Sequence, residues 1–326
     1  MNFWRELKRP ILALAPMEGI TDSAFRTVAK QQGADVVYTE FISSDAIDHG
    51  STTALHKMDF QPAEQPVVCQ IFGRDLAAFQ RAARIVEDRG FAGLDINFGC
   101  PARKVVSHGS GVALMRDPAY CRRLIEAVLD VITIPLSIKV RVSIRTERPE
   151  VAPDCPDVYT VLDLIEAIRD LPVAAIMVHG RSFERGFDGA VDTAMIQAVK
   201  QRFPGVVLAN GGVRTPLDAV QMLSQTKADG VGIARGALGQ PWIFQQTKAY
   251  LQRHPLNPVS WQTVTSIATE HAVAAVQHGG PRALVEFRKH LAWYMSGVPG
   301  AAAARRQLPG VNQVADVQAL LATLPA

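Results

Sequence analysis

Residues 66–100 read PVVCQIFGRDLAAFQRAARIVEDRGFAGLDINFGC. The stretch begins and ends on short extended runs, PVVCQIFG (66–73) and GLDINFGC (93–100), the second alternating apolar and polar residues as a strand does. Between them DLAAFQRAARIVEDRG (75–90) returns its apolar residues every three or four positions, which is the spacing of one helical face. A strand, a helix and a second strand in so short a span form a β/α/β unit. Its two strands run parallel, joined by a right-handed crossover.

The unit recurs along the chain. Further runs are ILALAPM (11–17), ADVVYTEF (34–41), PLSIKVRV (135–142), AAIMVHG (174–180), VVLANGG (206–212) and GVGIARG (230–236), which brings the candidate strands to eight. One intervening stretch, TPLDAVQMLSQ (215–225), opens on a Thr cap with Pro in the first helical turn. Eight alternations predict a closed (β/α)8 TIM barrel with helices outside. A doubly wound open sheet would place a Gly-rich dinucleotide turn after its first strand, and Ala15-Pro16-Met17-Glu18-Gly19 is not that turn. At HPLNP (254–258) two prolines break the pattern. WQTVTSIATEHAVAAVQHG, ALVEFRKHLAWYMSG and VADVQALLATL then follow, each with a helical stripe. The expected division is a barrel over 1–252 and a C-terminal all-helical domain over 253–326.

Composition sets the outer limits. The 326 residues are 48% hydrophobic and 20% charged, with a net charge of +3, a folded globular composition that neither demands nor excludes a nucleic-acid partner. No run approaches the roughly 20 apolar residues of a membrane span. The opening MNFWRELKRPILALAP is too short in its apolar part for a signal peptide and reads as the approach to a first strand. Cys69, Cys100, Cys121 and Cys155 include no C-x-x-C pair, so a reducing cytoplasm, no disulfide framework and no structural metal are expected. A monomer is the expected state.

Chemistry in such a barrel sits where the C-terminal ends of the strands converge. Those ends carry Pro16 and Met17, Gln70, Asn97 and Cys100, Lys139 and Arg141, His179 and Arg181, Asn210-Gly211-Gly212, and Ala234-Arg235-Gly236. Glycines and a guanidinium after strands 7 and 8 suit a phosphate, because the backbone can approach its oxygens and arginine meets them in bidentate fashion. Lys139 points inward with Ser137 and Arg141; a buried ammonium needs an anionic or electron-rich partner, either a ligand or a carboxylate such as Asp95. His179 and Gln70 admit the same two readings, a ligand contact or a hydrogen bond within the barrel. Met17 is either core filling or a soft apolar floor for a flat ring. Cys100 lies between Gly99 and Pro101 on a strand-end loop.

Taken together these motifs resemble the tRNA-dihydrouridine synthase family. The carriers are LAPMEGITDSAFR (14–26), DINFGCPARKV (95–105), GSGVALM (109–115), SIKVR (137–141), VHGR (178–181), LANGGV (208–213), GIARGALGQPWIF (232–244) and, in the tail, RKHLAWY (288–294). The resemblance implies an FMN enzyme that uses NADPH to reduce the C5–C6 double bond of particular uridines in tRNA. It assigns Pro16, Met17, Glu18, Gln70, Lys139, His179, Asn210, Gly211, Gly212, Ala234 and Arg235 to the flavin and makes Cys100 the catalytic acid. Asn97 then lies beside the incoming uracil, with Arg141 and Arg181 on the substrate side. The chemistry is consistent with these assignments. Hydride delivery to uridine C6 leaves negative charge on C5, and a thiol with an ordinary pKa of about 8.5 holds a proton to give at neutral pH. A stacked uracil cannot reach a barrel floor, so the nucleotide must be turned out. Arg103, Lys104, Arg145 and Arg185 on the mouth loops, and Arg282, Arg288, Lys289, Arg305 and Arg306 in the tail, are then available to phosphates.

Two features depart from the family pattern. Strand 8 ends Ile-Ala-Arg where the family usually has Ile-Gly-Arg, and the loop from Ser143 to Pro156 is rich in Pro and charge. Competing functions are an FMN barrel of the dihydroorotate-dehydrogenase or ene-reductase type acting on a small molecule, and a tRNA-binding barrel without flavin.

Overall fold

Alternation within the extended runs decides which side chains enter the barrel and which lie under the helices. The computed structural model of the chain describes residues 2–146 and 156–325; Cys155 and most of the Pro-rich loop expected after strand 5 lie outside the described residues. The barrel strands are β1 (Ile11–Leu14), β2 (Val36–Ser43), β3 (Val67–Phe72), β4 (Gly93–Phe98), β5 (Leu136–Arg141), β6 (Ala175–His179), β7 (Val206–Asn210) and β8 (Gly230–Ile233). All pair in parallel and close in the order β1-β8-β7-β6-β5-β4-β3-β2. The expected (β/α)8 barrel is therefore the observed one.

Every strand differs from the sequence reading at one or both ends by one to three residues, and three of these differences shape the mouth. β1 stops at Leu14, because the carbonyl of Met17 accepts from the backbone N–H groups of Ile20 and Thr21 and turns the chain. β8 stops at Ile233, and Arg235–Ala237 winds into one 3-10 turn. β2 starts and ends two residues later than 34–41, with a register irregularity between Tyr38 and Phe41 that carries Phe41 opposite Gln70.

In β4, Leu94, Ile96 and Phe98 face the outer helices and join the large core there, while the intervening Asp95 and Asn97 turn inward. The interior cluster is small: Ile11, Ala13, Val36, Tyr38, Val68, Met177 and Leu208, with Trp4 entering from the N-terminal end. The surrounding helices start on local signals. Asp75 accepts from the N–H of Ala78 at 2.7 Å, and Thr215 with Asp218 closes a capping box around Pro216. After β5 a two-stranded hairpin, Ser143–Arg145 with Val158–Thr160, precedes the next helix.

Beyond residue 252 the described chain is helical, with Trp261–Gly279, Ala283–Tyr294, Ala301–Arg305 and Val314–Ala322 in order. Their apolar stripes share a core with Ala24 and Val28 of the barrel helix Ser23–Gln31. Among the described residues no helix is long and apolar enough to cross a membrane.

Aromatic rings join the two parts. His271 stacks on Phe25 with ring centres 5.5 Å apart and meets His290 edge-on at 4.7 Å. Its Nδ1 lies 3.2 Å from the Tyr294 hydroxyl, whereas neither ring nitrogen of His290 has a partner. Burial holds His271 down to about 3 and His290 well below its ordinary value, so both rings are neutral when folded. A depressed histidine stabilises the fold above its unfolded value of 6.5 and loses that contribution as pH falls towards about 3. The unfolding free energy should accordingly fall below pH 6.5, approaching about 1.4 kcal/mol per pH unit for each ring, and the melting temperature should fall with it. His290→Phe should flatten that slope; an unaltered slope would remove the ring from the acid response.

Candidate active site

Register places the polar side chains of neighbouring strands side by side. Gln70 pairs with Asp95, Asn97 with Lys139, Arg141 with His179, and His179 with Asn210, which pairs in turn with Gly232. Because barrel strands are staggered, these pairs climb to the C-terminal mouth and line a cavity of about 590 Å³, a size suited to a small ligand. Its walls include all the residues singled out from the sequence: Pro16, Met17 and Glu18 after β1, Gln70 on β3, Asn97 and Cys100 from β4, and Lys139 and Arg141 on β5. His179, Arg181, Asn210, Gly211, Gly212, Ala234 and Arg235 complete them.

One side of the cavity is built on a chain of hydrogen bonds. Asp95, fully buried, accepts from the Ser137 hydroxyl at 2.6 Å and from Gln70 Nε2 at 2.7 Å. Gln70 Oε1 then accepts from Asn97 Nδ2 at 2.9 Å, and Asn97 Oδ1 accepts from the backbone N–H groups of Gly99 (3.0 Å) and Cys100 (2.8 Å). Each amide is thereby fixed in one orientation, and the last one shapes the loop that carries the thiol. Desolvation pushes the Asp95 carboxyl up to about 6, opposed by Ser137, Gln70 and the charge on Lys139. Gln70 thus has both properties considered for it: it is bonded within the barrel and also borders the cavity.

Arg141 holds the same loop from the other side. Only 2% exposed, it donates from Nε to the Gly99 carbonyl at 3.1 Å and from Nη1 to the carbonyls of Ser182 (2.9 Å) and Gly186 (2.7 Å). It therefore ties the loop after β4 to the loop after β6. Arg141, expected on the substrate side, borders the cavity while its Nε and Nη1 are engaged by backbone carbonyls. The Cys100 thiol, 8% exposed, is pushed above its ordinary value by burial, so it is protonated at neutral pH.

From β5 onward the cavity carries a set of cations with few anions. Lys139 makes no ion pair with Asp95; burial and the neighbouring Arg141 bring it down to about 8. His179 is held far below its usual value by burial and by Lys139, and so stays neutral, with its Nδ1 unpartnered. Arg181 donates Nε to the Gly189 carbonyl at 2.8 Å, but its buried Nη1 also lacks a partner. Desolvation and nearby Arg235 and Arg214 depress Arg181 as well. Gly211 and Gly212 adopt φ of +111° and +77° beside this cluster. A Cβ on Gly236 would come within 2.2 Å of the Val213 carbonyl, so the loops after β7 and β8 pack directly together.

These observations fit a phosphorylated planar ligand such as FMN: two orphaned buried nitrogens, an unpaired ammonium and a Gly-Gly turn ringed by guanidiniums. Among the described residues no group of three or more His, Cys, Asp or Glu could hold a metal. The dihydrouridine synthase family profile matches residues 13–325. The chain belongs to the dihydrouridine synthase family. Curated relatives include "tRNA-dihydrouridine synthase B" of Xanthomonas axonopodis pv. citri, 35% identical over 90% of this chain and 86% of that protein. The protein of the same name in Pseudomonas aeruginosa is 33% identical, over 96% and 91% of the two chains. "Probable tRNA-dihydrouridine synthase" of Rickettsia bellii is 34% identical, over 90% and 88%. Among solved structures, the old yellow enzyme homologue from Zymomonas mobilis aligns with a TM-score of 0.48 at 14% identity, over 78% of this chain and 91% of that one.

Several lining residues escaped the sequence reading. Phe41 sits at the end of β2, whose mouth residue was not considered, and Arg214 follows the Gly-Gly turn. Phe187 lies in a polar loop; its ring is 5.4 Å from the guanidinium carbon of Arg141 and 5.0 Å from that of Arg235.

Replacing Asp95 tests the dihydrouridine synthase site's internal support. Asp95→Ala leaves Gln70 Nε2 without its acceptor and should lower stability by about 1–3 kcal/mol. Asp95→Asn should cost less, since its amide oxygen can still face Gln70 while its NH2 meets the Ser137 oxygen. Urea denaturation of the two variants reads the difference, and equal losses would show that the charge rather than the acceptor matters.

Proposed function

We propose that the chain is an FMN-dependent tRNA-dihydrouridine synthase that reduces the C5–C6 double bond of particular uridines in tRNA, with NADPH as reductant. The observation that carries this reading is a protonated, buried thiol lining the same cavity as an unpaired lysine and a Gly-Gly turn ringed by arginines. The names of the relatives in Xanthomonas, Pseudomonas and Rickettsia support the substrate and the reaction.

Bound FMN, once reduced by NADPH, supplies a hydride for uridine C6. Asn210, Gly211, Gly212, Ala234 and Arg235 would hold its phosphate end, and Pro16, Met17 and Glu18 would border the ring. Gln70 and His179 would meet the ring edge, and Lys139 would stabilise negative charge there. Cys100 gives its proton to uridine C5 as the S–H bond breaks and a C–H bond forms, and the thiolate is reprotonated from solvent. One hydride and one proton then account for the two hydrogens gained. Asn97 lies beside the extruded uracil with one amide N–H left to offer. Arg181 reaches towards anionic groups at the rim, and Arg141 acts through the loop that it anchors. The barrel, residues 1–252, carries the chemistry; the helices of 253–326 contribute an RNA-binding face that includes Arg282, Arg305 and Arg306. The cytoplasm, where tRNA and reduced thiols occur together, is the proposed setting.

Cys100→Ala should retain FMN yet slow dihydrouridine formation by about 10²–10⁴-fold, measured by mass spectrometry of nucleosides from unmodified tRNA. Undiminished turnover would remove the thiol from the mechanism. Lys139→Ala should slow flavin reduction by NADPH on the order of 10²-fold in stopped-flow absorbance. A normal rate with normal flavin content would leave the lysine a structural role only.

A further inference from the structure

Beside the ring cavity lies a second cleft of about 650 Å³, lined by Arg74, Arg103, His108 and Tyr120 among others. Pro101, the residue after Cys100, borders both cavities, so the thiol loop is the wall between them. We propose that this cleft binds the sugar–phosphate backbone of the RNA strand next to the extruded nucleotide. The inference rests on the tRNA reading above and adds to it a location and a set of ligands.

Charge is the first reason. Among the described residues, Arg74, Arg103 and Arg123 take part in no ion pair. Among the described residues Asp117 is the carboxylate that borders the cleft, and it accepts from the backbone N–H of Tyr120 at 2.8 Å, capping the helix Pro118–Leu129. Cations gathered with few counter-charges repel one another, and a polyanion laid among them relieves that repulsion.

Arrangement is the second. The Tyr120 ring lies 5.9 Å from the guanidinium carbon of Arg74 and 5.0 Å from that of Arg123. A π face positions a guanidinium without neutralising it, leaving its N–H groups for phosphate oxygens. Tyr120 also donates its hydroxyl to the Arg74 carbonyl, which fixes the ring against the same loop. Gly109, at φ +68°, leaves the room that Arg74 uses: a Cβ there would lie 2.8 Å from Arg74 Nη1. Position is the third reason. A base held in the ring cavity leaves its neighbouring phosphates at the rim, and the rim beside Cys100 opens into this cleft.

The test uses the flavin-loaded enzyme and unmodified tRNA, comparing wild type with Arg74→Ala, Arg103→Ala and the double variant. Dissociation constants are measured over a range of salt concentrations, alongside KM values for tRNA and for NADPH. The double variant should weaken tRNA binding about tenfold or more and reduce the salt slope by about 2, one unit per lost phosphate contact. Arg74→Lys, which keeps the charge, should recover most of the slope. Weaker binding with an unaltered slope, or no change at all, would overturn the assignment. So would a rise confined to the KM for NADPH, which would give the cleft to the dinucleotide's phosphates. A wild-type protein that neither binds tRNA nor forms dihydrouridine removes the functional reading and this inference together. A wild type that does both, with variants that bind like it, removes the cleft alone.

Discussion

The site depends on one buried carboxylate. Asp95 sits inside a barrel, where an unpartnered charge is costly, and its two oxygens are met by Ser137 and Gln70. That pairing leaves Gln70 one way to face, which leaves Asn97 one way to face, which in turn directs two backbone N–H groups of the thiol loop. Arg141 grips the same loop through the Gly99 carbonyl. A thiol on a strand-end loop would otherwise be free to wander. Here it is held between a four-residue polar chain and a guanidinium, both built on strands whose register is set by the barrel.

Much of this was legible in the sequence, for reasons that can be named. Strand alternation showed which residues of 94–98 turn inward, and eight such runs with helices between them leave closure as the economical topology. Closure gathers strand ends, so Gln70, Lys139, His179 and the Gly-Gly turn could be placed around one cavity from spacing alone. What could not be read was partnership. Lys139 might have been neutralised by Asp95, yet that carboxylate is engaged by Ser137 and Gln70. Arg141, read as facing a substrate, also donates from Nε and Nη1 to three backbone carbonyls. Pairings of this kind arise between residues distant in the chain and leave no local periodic signal. Phe187 escaped for a related reason: nothing in its polar loop marks the two arginines it lies against.

The helical region relates to the barrel by packing more than by sequence position. Two prolines near 254–258 separate it along the chain, but its core takes in Ala24 and Val28 from the barrel's first helix, and His271 stacks on Phe25 of that helix. That same helix follows directly from the turn after β1, which borders the ring cavity. The two parts therefore share an element whose N-terminal end belongs to the mouth.

Asn97 has a further consequence for recognition. Both acceptor positions of its carbonyl oxygen are filled by the protein's own backbone, and one of its two amide hydrogens goes to Gln70. Asn97 itself can therefore offer a ligand one remaining amide hydrogen and no free acceptor. On the function proposed above, pyrimidines would differ in this respect: a carbonyl edge would satisfy such a group, whereas an exocyclic amine would oppose it, at about 1–3 kcal/mol for each buried group left unmade. Polarity fixed from below by a buried acid would thus act as a sieve between keto and amino bases.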